Sequence, residues 1–135
     1  MFIFLATVAA APMVACPGTT TVEVNTCLNV RLNDSDATLN RYYQTAVKRI
    51  TKENGSKAAQ RFVQAERSWI RYRDAECGSV FDRYGGTIRV SAELGCRIRL
   101  TRFRTYAIWR DWLTYPGSTP SLLPRPDVES VLTGR

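Results

Sequence analysis

The chain has 135 residues, 19 Lys and Arg against 12 Asp and Glu, no histidine and four cysteines, for a formal charge of +7. That length holds one small domain with one core. The missing histidine removes the commonest metal ligand and general base, together with every Ser-His or Cys-His nucleophile pair.

Residues 1–15 carry no charged side chain and include the run Phe2-Ile3-Phe4-Leu5-Ala6-Thr7-Val8. A membrane-crossing helix needs about 20 apolar residues, so this shorter run reads as a signal peptide, with small residues Val8-Ala9-Ala10 placed for cleavage. Met13-Val14-Ala15-Cys16 also resembles a lipoprotein box that would acylate Cys16. This alternative ranks second, because Met is atypical at its first position. An even number of cysteines behind such a leader places the mature chain in an oxidising compartment, periplasmic or secreted.

The first predicted helix starts near Thr20, whose spacing to Glu23 makes a capping box, and carries Val24, Leu28, Leu32, Leu39, Tyr43, Ala46 and Ile50 on one side. Asn33-Asp34-Ser35-Asp36 predicts a kink or a fresh N-cap within it. Asn54-Gly55-Ser56 supplies a stop followed by a new start.

The second helix aligns Phe62, Ala65, Trp69, Tyr72 and Val80, with Phe81 and Tyr84 close by, and ends at Gly85-Gly86. Glu66, Arg73 and Glu76 fall near that stripe, which predicts partly buried charge. Arg73 and Arg104 are expected to pair with Glu66, Asp74 or Glu76. Glu66 and Glu76 read as structural, not as a hydrolytic pair: ten residues of helix separate them by roughly 15 Å, beyond either glycosidase geometry.

The third helix runs around Ser91 to Leu113, with Leu94, Ile98, Thr101, Thr105, Ile108 and Trp112 at helical spacing. Pro116, Pro120, Pro124 and Pro126 then predict an extended or disordered tail over 114–135. No period-two alternation supports a sheet. The expected fold is therefore all-α, a small three-helix antiparallel bundle pinned by disulfides.

More than half of the positive excess lies in 84–113, as Arg89, Arg97, Arg99, Arg102, Arg104 and Arg110. On an exported protein such charge reads first as a solvated helix face and second as a surface for anionic lipid, cell-wall polymer or an acidic protein patch. Arg97, Arg99, Arg102 and Arg110, with Trp109 as the tryptophan nearest the stripe's edge, are the candidate partner-binding residues. No nucleic-acid reading motif accompanies them. No cofactor or metal site is expected.

Cys16-x10-Cys27 with Thr20-x2-Glu23, Asp36-x2-Leu39-Asn40-x2-Tyr43, the run from Ala65 to Cys77 containing Trp-x3-Arg-Asp-x2-Cys, Gly86-Thr87, and Cys96-x3-Leu100-Thr101-x2-Arg104-Thr105 together resemble the lysozyme inhibitor LprI N-terminal domain family. The resemblance covers Cys16 to about Leu113, so 16–113 reads as the domain. It departs at Glu66-Arg67, where the family carries Gln-Arg. The resemblance implies a small helical exported bacterial domain and, for its namesake, a protein that inhibits lysozyme without catalysis. Of three connectivities, Cys16 with Cys27 and Cys77 with Cys96 is preferred. The first pair brackets a Pro-Gly-Thr turn and the second flanks the Gly85-Gly86 reversal. The rival joins the N-terminal cysteines to the later two across the bundle.

Overall fold

A computed structural model describes residues 16–128; the expected leader lies outside the described residues. Helix α1 spans Thr21–Asn54, α2 Ser56–Arg83 and α3 Ile88–Ile108, followed by a π-turn over Trp109–Leu113. No strand occurs among the described residues. The chain runs up, down and up, so α1 and α3 are parallel and α2 is antiparallel to both. Ser91 reaches Asn25 at the lower end (2.6 Å) and Thr101 lies near Asp36 further up.

The start of α1 is set by reciprocal hydrogen bonds. The Glu23 N–H donates to Thr20 Oγ1 (3.2 Å), and the Thr20 and Thr19 N–H groups donate to Glu23 Oε2 (3.1 and 3.0 Å). These backbone donors hold the Glu23 carboxyl below its ordinary pKa. The helix then continues for 34 residues, about 51 Å, through the Asn33–Asp36 segment where a break is predicted from sequence. The polar side chains that would have capped a new helix bond within the old one. Ser35 Oγ donates to the Arg31 carbonyl (2.8 Å), and Thr38 Oγ1 to that of Asp34 (2.9 Å). The reversal into α2 is the expected one: Gly55, at φ 86°, takes a conformation that favours glycine and separates two helices by a single residue.

Leu39, Tyr42, Ala46 and Ile50 of α1 pack on Ala59 and Phe62 of α2, Ile108 of α3 and Leu113. This core occupies the upper end, beside the α1–α2 turn. The lower end buries Leu94 and Ile98 together with the Cys77–Cys96 bridge. There the covalent staple stands where apolar volume is thin. The bridges Cys16–Cys27 and Cys77–Cys96 are both present, as preferred from sequence, and no free cysteine remains. In its bridged state the Cys16 sulfur is not available for lipid attachment.

Two stripes differ from their predicted register. On α2 the inward positions are Ala59, Phe62, Glu66 and Cys77, with Trp69 and Arg73 partly covered, whereas Ala65 and Tyr72 are exposed. The true stripe runs 59-62-66-69-73-77, so the polar Glu66 and Arg73 occupy positions that hydrophobicity alone assigned to their neighbours. On α3 the π-turn changes the end of the stripe. A continuous α-helix would place Trp112 above Ile108, but the wider turn brings Leu113 to that place, fully buried. Trp112 moves out to 37% exposure, its ring edge-on to Phe62 with centroids 5.4 Å apart.

The proline-rich tail is extended, and through residue 128 it is tied to the bundle. The Leu122 N–H donates to the Leu113 carbonyl (2.8 Å), Trp109 Nε1 to that of Leu123 (2.9 Å) and the Tyr42 hydroxyl to that of Pro124 (2.6 Å). Arg49 Nη1 donates to the Trp112 and Thr114 carbonyls, both at 2.8 Å, satisfying the open end of the last turn while its guanidinium lies 4.0 Å over the Tyr115 ring.

Candidate functional site

Because Glu66, Trp69 and Arg73 share the inward stripe of α2, their polar groups must find partners on the flanking helices. Arg104 Nε donates to Glu66 Oε2 at 2.8 Å, and the Glu66 side chain is only 8% exposed. Two turns further along α2, Arg73 Nη1 donates to Asp36 Oδ1 on α1 (2.7 Å) and to Thr101 Oγ1 on α3 (2.9 Å). Both guanidinium groups lie over the Trp69 ring, at 5.3 Å for Arg73 and 6.0 Å for Arg104. Arg73 Nε is buried without a hydrogen bond and faces Asp74 Oδ1 at 3.7 Å.

Asp74 carries the ladder outward by accepting from Arg97 Nη1 (2.7 Å), while Arg97 Nη2 donates to Glu93 Oε1 (3.0 Å). Burial alone would lower the Arg97 pKa, but the hydrogen bonds it donates to Glu93 and Asp74 outweigh burial and raise the value. All three helices are thus joined by alternating charge.

Glu66, Arg73, Asp74 and Arg104, expected from sequence to pair, lie together in this cluster. Glu76, named with them, is exposed and takes part in none of these pairs, because its Cα lies off the true stripe. Asp36, Thr101 and Glu93 were not named. Asp36 belongs to the segment whose composition suggests a kink or a fresh N-cap, and it stands three residues before Leu39, in the motif that carries the family resemblance. The departure at Glu66 finds its counter-charge in Arg104.

Three members of the ladder, Asp36, Glu66 and Arg73, line a groove between α1 and α2 of about 360 Å³, together with Asn40 and Tyr43 of α1 and Trp69 and Ile70 of α2. Two motif elements far apart in sequence therefore meet along one cleft. Burial first, and then the Glu66 charge, push the Tyr43 pKa up. Glu66 itself is occupied by Arg104 and stands apart from Glu76, so the two carboxylates do not converge on a shared substrate position. No group of His, Cys, Asp or Glu able to hold a metal ion occurs among the described residues.

The candidate partner-binding residues are dispersed over several faces. At 100° per residue, Arg97 and Arg99 point about 160° apart; Arg97 is held in the ladder and Arg99 is exposed. Arg102 is half-buried beside a cavity of about 240 Å³ shared with Tyr42, Thr105 and Asp127. Burial and the nearby Arg31 lower the Arg102 pKa, and Asp127 opposes them. Trp109 is not a free edge: the tail covers it and accepts its N–H. Arg110 is exposed and bonded to its neighbour Asp111 at 2.7 Å. Among the described residues, no helix is long and apolar enough to cross a membrane.

The chain is 32% identical over 94 residues to an uncharacterized protein of Rhizobium meliloti, an alignment covering 62% of this chain and 68% of that protein. No solved structure matches it. The family described as Lysozyme inhibitor LprI matches residues 15–108, a span containing α1, α2, α3 and both disulfides. Family and bridges together point to a place outside the cytoplasm. With its cysteine pairs, its charge ladder and this match taken together, the chain belongs to the LprI lysozyme inhibitor family.

Proposed function

We propose that this protein is a periplasmic or secreted, non-catalytic inhibitor that binds a lysozyme-type glycan hydrolase and blocks access to its cleft. The observation that carries the reading is the family match, which spans all three helices and both cross-links. The architecture supports it. Two disulfides, a three-helix charge ladder and a tied-down tail leave little conformational freedom to lose on association, which is how a small rigid body converts a modest interface into useful affinity. A stable complex of this kind buries about 800 Å² on each partner, enough to cover a substrate cleft without any chemistry.

The test is a titration of lysozyme activity with the purified oxidised protein, using several lysozyme types. Saturable loss of activity with defined stoichiometry is expected; undiminished activity over a wide excess contradicts the reading. A second reading, peripheral attachment to anionic lipid or cell-wall polymer, is favoured by the +7 charge and by exposed cations such as Arg41 and Arg99. Ionic strength separates the two: polymer binding collapses as salt rises, whereas blockade of a basic enzyme persists.

A further inference from the structure

The two ends of the bundle differ in charge. The lower end, which holds both bridges, consists of residues 16–30 and 76–96, where Glu23, Glu76, Asp82 and Glu93 stand against Arg83 and Arg89. That is a formal −2 in a chain of +7, so the remainder carries +9; of the four carboxylates, Glu93 is paired with Arg97, one residue beyond this end. From Cys16 to Val30 there is no lysine or arginine at all.

The same end displays apolar side chains to solvent. Val22 is 75% exposed, Ile88 58% and Tyr84 40%. Ile88 lines a shallow depression in which the loop at Thr20 and the first turn of α1 meet Thr87 and Ser91. The support beneath is stiff: the Cys16–Cys27 bridge, the Thr20–Glu23 capping box and the Ser91–Asn25 hydrogen bond fix the loop to both parallel helices. Exposed apolar side chains on a pinned backbone suit an interface centre, since the backbone beneath them has little freedom left to lose.

We propose that this disulfide-pinned end is the surface that docks on a basic lysozyme, with Val22, Tyr84 and Ile88 as its apolar anchors. The proposal rests on the inhibitor reading and specifies where contact is made. Charge complementarity selects the end. A cationic enzyme is repelled by the +9 portion and meets the less cationic end here, so the long-range field favours this orientation before contact. The groove between α1 and α2 is left out of the interface, its charges being spent on one another.

The experiment measures inhibition constants against a basic lysozyme for wild type, for Val22→Lys/Ile88→Lys, and for a charge-matched control, Tyr72→Lys/Leu122→Lys, whose sites are 54% and 44% exposed elsewhere on the molecule. Helical circular dichroism and the mass of the oxidised protein establish that each variant is folded and bridged. The expected result is at least about tenfold weaker inhibition for Val22→Lys/Ile88→Lys, with the control close to wild type. An unchanged constant for Val22→Lys/Ile88→Lys overturns the docking surface while leaving the inhibitor reading intact. Equal weakening in both variants also overturns it, by reducing the effect to net charge. Absence of inhibition by wild type overturns the inhibitor reading itself, and the surface with it.

Discussion

Arg104 of α3 reaches the buried carboxylate of Glu66 on α2 at 2.8 Å, across a tryptophan ring that also supports Arg73. Removing the cation leaves a negative charge in a site with little water, whereas replacing the carboxylate by its amide keeps an acceptor in place. Arg104→Ala is therefore expected to cost about 3 kcal/mol in denaturant unfolding. Glu66→Gln costs no more than about 1.5 kcal/mol.

The π-turn makes a prediction that a straight helix would reverse. Leu113 is fully buried and Trp112 is 37% exposed, so the smaller residue contributes more. Leu113→Ala is expected to destabilise by about 3 kcal/mol. Trp112→Ala, which loses mainly an edge contact with Phe62, costs about 1 kcal/mol. Thermal or urea unfolding of the two variants decides the register.

The bridges are unequal. Cys77 and Cys96 are fully buried, and their bridge joins α2 to α3 across 19 residues where the apolar core is thin. Loop entropy assigns this closure roughly 3 kcal/mol, which for a domain of this size lowers the melting temperature by roughly 10–20 °C when both cysteines become serine. Cys16→Ser/Cys27→Ser loosens only the leading loop and the first turns of α1, so calorimetry should show the smaller drop.

The tail hangs on a titratable donor. The Tyr42 hydroxyl donates to the Pro124 carbonyl at 2.6 Å, and burial raises its pKa above that of free tyrosine. A raised folded pKa means that this contribution is complete below about pH 10, the ordinary tyrosine value, and is lost as pH climbs through the folded one. Absorbance at alkaline pH should show delayed ionisation of Tyr42, with proteolysis of the tail beginning as it titrates. Tyr42→Phe removes about 1 kcal/mol and exposes the tail to protease at neutral pH.

Local punctuation was readable in the chain itself. Asn54-Gly55-Ser56, the Thr20–Glu23 box and the cysteine pairs needed only short-range rules, and each is where those rules put it. Tertiary competition explains the differences. Asn33–Asp36 looks like a helix start until Arg73, from another helix, claims Asp36 and leaves the serine and threonine to bond along the same helix. Tyr72 outranks Arg73 on any hydropathy scale, yet a guanidinium with a carboxylate, a hydroxyl and an indole around it is the better inward group. Trp112 shows the same limit. One extra residue in a turn shifts every later side chain, and no hydropathy period encodes it.

The most direct test of an extracytoplasmic, cross-linked inhibitor compares lysozyme activity in the presence of the oxidised protein and of the same protein reduced and alkylated. The account predicts dose-dependent inhibition by the oxidised form, four cysteines without a free thiol, and loss of inhibition once the bridges are opened. Full lysozyme activity beside a stoichiometric excess of the oxidised form, or inhibition undiminished after reduction, would contradict it.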